Sequence, residues 1–253
     1  MAASFPGSVK SFGIDRVDGD YIPADDVNAL RAEIVAMETA LLSGGWILDV
    51  NTWTYVSASS FTVAGNQTAI FTKGLRVKWL QTINKYGVVL SSVYASGTGL
   101  TTVNIAVNGD YTVTNAAISA TAYSNLDEPR GWPGWFNYAP FPSGVPSDYG
   151  FSVLPTIGNS LYNIRGRACF VTHKENVNGT SSSTAFAQAL PVMAAMGADF
   201  AVAAAYNNGV YVATVQGTFA GGAAAISFQL GGSSTGWTAT GGKRVSFQLV
   251  YMI

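Results

Sequence analysis

The feature that most restricts the fold is a period of two in the placing of large apolar residues. Leu75, Val77 and Trp79 alternate with Arg76 and Lys78, and Val245, Phe247, Leu249, Tyr251 and Ile253 occupy every second position to the last residue. Successive side chains of a strand point to opposite faces, so such a run lays one face on a core and turns the other to solvent. The rhythm returns at Val103, Ile105 and Val107 and at Ile226, Phe228 and Leu230. Strand-like runs are read at 53–56, 60–64, 68–72, 75–82, 86–94, 101–107 and 111–122. Asn108-Gly109-Asp110 and Asn207-Asn208-Gly209 separate apolar runs and read as hairpin turns. The Ala-rich stretch Thr184–Met196, interrupted by Pro191, is open between a short helix and irregular strand.

Residues 1–45 differ. Asp15, Asp18, Asp20, Asp25, Asp26 and Glu33 concentrate acidic charge there, and the spacing predicts a helix over about 24–42. Pro23 suits a first turn, Asp25 and Asp26 suit the positive end of the helix dipole, and Gly44-Gly45 stop it. Val27, Leu30, Ile34, Met37 and Leu41 are spaced 3, 4, 3, 4, the a/d rhythm of a coiled-coil seam. Two readings of that stripe stand side by side: packing on the chain's own domain, or association around a symmetry axis. The flanking charges do not choose between them, because Asp26 and Arg31 are opposite whereas Glu33 and Glu38 are alike.

The fold class expected is mainly β, with a short N-terminal helix, a central antiparallel β-sandwich or barrel module, and a C-terminal jelly-roll-like β-sandwich. Asp127–Tyr138 and the Pro and Gly that follow to Pro146 cannot continue a regular strand. The organisation read is an N-terminal segment 1–45, a central module 46–128, a packed Pro/Gly/aromatic connector 129–146, and a C-terminal sandwich 147–253.

Chemistry-bearing residues are scarce. His173 is the sole histidine and Cys169 the sole cysteine, which excludes a multi-histidine metal site and an intramolecular disulfide. Cys169 reads as a small buried hydrophobe. No phosphate loop or nucleophile elbow is present. Asp15, Asp18 and Asp20 lack the spacing of a calcium loop. Asp127, Glu128 and Asp148 could supply a carboxylate pair only if the fold brought them together. The expectation is therefore of no enzyme, no metal and no cofactor. Thirteen basic against fourteen acidic residues leave a formal net charge of −1, so no nucleic-acid footprint is visible. No apolar run is long enough to expect membrane insertion or a signal peptide. Only 11% of residues are charged, less than half the usual share, which predicts a surface that largely meets other subunits. Of the six tryptophans, Trp79 fits the apolar face of its strand, while Trp132, Trp135 and Trp237 are candidates for stacking on a glycan.

Two stretches carry a family resemblance. Ala24–Ile34, continuing to Met37-Glu38, resembles the short helix near the N-terminus of many bacteriophage fibre and spike proteins. Thr52–Tyr55, Phe61–Thr68, Lys73-Gly74, Lys85–Gly87, Asp110–Val113 and Pro129–Asn137 together are similar to a β module recurring in phage tail and head fibres. The resemblance spans about residues 20–138 and transfers no catalytic motif. It implies a homo-oligomeric, trimeric fibre or spike subunit, assembled in the bacterial cytoplasm and displayed on the virion. The N-terminal segment would meet other virion proteins and a host surface glycan would be a further partner; a capsid decoration or cement protein, or a carbohydrate-binding receptor module, is the alternative.

Overall fold

The computed structural model describes residues 24–253 apart from 203, 209, 213–214 and 231–236. The protein is mainly β with one N-terminal helix, α1 (Ala24–Leu42), and its strands lie in antiparallel sheets. Asp25 and Asp26 occupy the first turn of α1. Gly44 and Gly45 leave the helix with φ of +66° and +88°, a left-handed stop that a side chain would strain. A Cβ on Gly44 would also stand 2.2 Å from the Arg130 Cβ, so the stop is pressed against the connector.

The central module is one seven-stranded sheet. It comprises β1 (Ile47–Leu48), β2 (Trp53–Ser57), β3 (Ser60–Ala64), β4 (Arg76–Gln81), β5 (Ile83–Ala95), β6 (Leu100–Ala106) and β7 (Ser119–Ser124), in the order β1-β7-β4-β5-β6-β3-β2. Trp53 from one edge strand and Tyr123, next to the other edge, pack on one core with Val77, Trp79, Val89 and Val103, so the sheet curves around its contents. At one end Trp53 stacks on Phe61 at 4.1 Å, and Phe71 meets both rings edge-on. These apolar faces are the ones the alternation assigned.

Three local expectations are corrected. Asn108 does not open a hairpin: its side chain accepts from the backbone N–H groups of Asp110 and Tyr111, which winds Gly109–Tyr111 into a 3-10 turn. The chain then runs irregularly until β7. The 68–72 run is turn, anchored by Ile70 and Phe71 N–H donating to Gln67 O. The basic face of β4 is covered at Arg76 and only half open at Lys78. Arg76 is 1% exposed, and Lys78 lies over the Trp46 ring at 4.8 Å.

The C-terminal part is a sandwich of two sheets. Its strands begin in the connector with β8 (Phe136–Asn137) and continue with β9 (Phe151–Val153), β10 (Thr156–Arg165), β11 (Ala168–Val177), β12 (Gly179–Ser181), β13 (Phe186–Ala189), β14 (Ala198–Ala201), β15 (Ala204–Asn207), β16 (Val210–Val212), β17 (Val215–Phe219), β18 (Ala225–Leu230) and β19 (Gly242–Met252). The larger sheet runs β16-β15-β19-β11-β10-β8, with β12 and β9 attached; the smaller runs β13-β18-β17-β14. Phe228 and Phe247 meet across the gap at 5.8 Å, and Phe186 stacks on Phe228 at 4.8 Å. The Asn207–Asn208 hairpin is present, joining β15 to β16 with Asn208 at φ +52°. The open stretch 184–196 resolves as strand β13 followed by a bend around Pro191.

The connector packs between the module and the sandwich. Trp46, Tyr86, Tyr111, Trp132, Phe136 and Tyr162 form a continuous chain of rings, neighbours 5.2 to 6.2 Å apart. Such tilted, edge-on and stacked pairs contribute stability beyond the area they bury. Arg76 fastens the same junction. Its guanidinium donates to Gly74 O (2.6 Å), Ile164 O (2.7 Å), Asp127 O (3.1 Å) and Asp127 Oδ1 (2.9 Å), and lies 5.2 Å from the Trp132 ring centre.

Candidate interaction surfaces and a buried polar cluster

The a/d stripe of α1 is not packed on the chain's own domain. Val27 is 54% exposed, Leu30 49%, Ile34 45% and Met37 46%; the Leu41 side chain lies outside the described residues. The buried edge of the helix is instead Ala29 and Glu33, one turn apart. At 100° per residue the stripe is rotated by about a quarter turn from that edge, so a helix already seated on one side leaves a whole apolar face free. Among the described residues, exposed large apolar side chains recur on other elements, including Val93 and Tyr94 on β5 and Val210 and Tyr211 on β16.

The tryptophans separate by environment. Trp79 is buried with Nε1 donating to Gln81 Oε1, as its strand position predicts. Trp237 is 2% exposed, packs edge-on against Phe186 and donates to Phe228 O, so its ring belongs to the sandwich core and is closed to a glycan. Trp132 is half-buried among Trp46, Tyr86 and Phe136, under the Arg76 guanidinium. Trp135 is 45% exposed.

The candidate carboxylates are engaged elsewhere. Asp127 pairs with Arg76 and Glu128 with Arg165 at 2.8 Å, while Asp148 lies in the exposed 3-10 turn Pro146–Tyr149. Asp15, Asp18 and Asp20 lie outside the described residues. Asn66, in a glycosylation-like triplet, caps its own turn by accepting from Thr68 N and Thr68 Oγ1. No described helix is long and apolar enough to cross a membrane.

One constellation escaped the sequence reading. Ser160 on β10 faces His173 on β11, with Ser160 Oγ 2.7 Å from Nδ1; His173 Nε2 lies 3.3 Å from Glu175 Oε1. Gln188, from β13 in the opposite sheet, donates to Glu175 Oε1 at 2.5 Å, and Val245 N donates to Oε2 at 2.7 Å. When the Ser160 hydroxyl donates to Nδ1, the Nε2–H is directed at the carboxylate, the same order of groups that activates a serine in hydrolases. A nucleophile must also reach its substrate, and Ser160, His173, Glu175 and Gln188 are all buried, at 6%, 2%, 2% and 0% exposure. The cluster therefore works as a polar pin between the two sheets, supplying partners for most of its buried polar atoms, with Gln188 Oε1 left without one. Burial raises the Glu175 carboxyl above its ordinary value, against the lowering effect of its bonds to His173 and Val245 N–H. The His173–Glu175 spacing, two residues apart on one strand face, was the only sequence sign of it.

Cys169 is fully buried, and burial pushes its thiol up to about 12, so it is a neutral core side chain. Comparison of the chain with family models, with curated proteins and with solved structures finds no match.

Proposed function

We propose that this protein is a non-enzymatic structural subunit of a bacteriophage particle, a self-associating fibre or spike protein built as a homotrimer and displayed on the virion surface. The observation that carries the reading is the α1 stripe of Val27, Leu30, Ile34 and Met37, an apolar seam at coiled-coil spacing left open by a helix that already buries its Ala29–Glu33 edge. Contiguous apolar surface of this kind marks an association site, and 11% charge over the whole chain gives the remaining surface little with which to stay solitary. The trimeric count and the virion setting rest on the resemblance of residues 20–138 to phage fibre modules. In this reading the ring-filled junction makes the module and the sandwich a stiff spacer, and residues 1–45 meet other virion proteins.

Mass spectrometry of phage particles purified from the bacterium that carries the gene tests the setting. The chain is expected in a fixed copy number per particle, a multiple of three. Its absence from washed, infective particles overturns the reading, and a copy number tied to capsid symmetry axes replaces the fibre with a decoration protein.

A further inference from the structure

Of the six tryptophans, Trp135 alone is largely exposed, and among the described residues it enters no ring pair and its Nε1 has no acceptor. It forms one wall of an open groove of about 350 Å3 on the outer face of the larger sheet. The floor is two adjacent cross-strand pairs, Phe170 with Val250 and Thr172 with Gln248. No charged side chain lines the groove. Among the described residues, the Thr172 hydroxyl and the Gln248 amide have no side-chain hydrogen bond.

We infer that this groove binds a neutral saccharide, with a pyranose ring stacked on Trp135 and its hydroxyls bonded to Thr172 and Gln248. The face of an indole carries the negative lobe of its quadrupole and attracts the weakly positive C–H bonds that cover one face of a pyranose. The edge of the same sugar is a ring of hydroxyls that need uncharged partners able both to donate and to accept, which a threonine hydroxyl and a glutamine amide are. Apolar and polar rows one strand-step apart match that two-sided chemistry, and the groove has the size of a small-molecule site. The absence of charge in the lining argues against an anionic or cationic ligand. A second copy of the chain is the competing occupant, since Val250 and Met252 on the same face are also exposed. The inference is independent of the α1 seam.

The test uses the full chain on an array of neutral hexose and N-acetylhexosamine oligosaccharides, with sialylated and sulfated oligosaccharides as the charged set. Wild type is expected to bind members of the neutral set and to prefer them to the charged set. Trp135→Ala is expected to weaken binding by about tenfold or more, Trp135→Phe to retain part of it, and Gln248→Ala to weaken it with an unchanged Tm. The inference is overturned if no neutral oligosaccharide binds, if Trp135→Ala binds as well as wild type, or if the charged set binds equally well. Light scattering separates the competing occupant: Trp135→Ala that lowers the assembly's mass, with no sugar bound by wild type, assigns the face to a second copy.

Discussion

Removing the Arg76 guanidinium is the sharpest test of how the central module is joined to the sandwich. The group is almost wholly buried and serves three carbonyls and one carboxylate, drawn from β4's own approach, the segment that leads into the connector and β10. Its partners are unequal. The Asp127 side chain is 66% exposed, so water can replace the guanidinium there, and the ion pair itself contributes under about 1 kcal/mol. The carbonyls of Gly74 and Ile164 are different, because each would lose a charged donor at a packed junction, at roughly 1–3 kcal/mol apiece. Loss of the cation over the Trp132 ring adds about 0.5–2 kcal/mol. Burial pushes the guanidinium below its ordinary value, with Asp127 opposing, which means that part of these gains offsets a desolvation cost that Arg76→Met no longer bears. Arg76→Met is therefore expected to lower stability by about 3 kcal/mol and Asp127→Asn by under about 1 kcal/mol. Urea unfolding followed by far-ultraviolet circular dichroism, at one fixed protein concentration because association shifts apparent stability, reads both. Equal losses in the two variants would refute the assignment of the energy to the carbonyls, and a negligible loss in Arg76→Met would refute Arg76 as the fastener.

Two further predictions concern the interior. The raised carboxyl of Glu175 means that the folded chain holds this proton more tightly than the unfolded chain, so its contribution is full below the ordinary value of 4.5 and is lost as pH rises through the folded value. The stability of wild type relative to Glu175→Gln should shrink as pH rises above 4.5 toward neutrality; a relative stability that grows with pH would contradict the burial argument. Cys169, fully buried with its thiol pushed up to about 12, should resist iodoacetamide in the native protein and react once urea unfolds it, and rapid native labelling would contradict the core placement.

What the sequence revealed follows from where one face of an element decides its fate. Val77, Trp79, Phe247 and Tyr251 announce their strands because one side of each strand is core, and period two records that directly. The helix was legible to its ends, because Asp25, Asp26 and the two glycines act locally. Asn108 misled because hairpin turn and 3-10 cap use the same residues, and only pairing across the sheet tells them apart. Arg76 misled because an alternating pattern assigns charge to solvent, whereas here a second layer covers that face. The tryptophans could not be sorted in advance: Trp135 and Trp237 differ only in what folds over them. Ser160, His173, Glu175 and Gln188 come together through strand register and sheet stacking, neither of which one chain's residue order displays.

The seam on α1 carries the central claim, and multi-angle light scattering behind a sizing column tests it most directly. Most helical stability in proteins comes from packing an apolar face, so the open apolar stripe on α1 is expected to be covered by the same stripe of neighbouring copies. Leu30→Asp combined with Ile34→Asp places carboxylates in that seam, where each unpaired charge costs several kcal/mol, on the order of 3 or more. Wild type at micromolar concentration is expected at three times the 26.4 kDa chain mass, and the double variant at lower mass with its β circular dichroism intact. A wild-type monomer contradicts the account; a double variant that keeps the full trimer mass contradicts the seam.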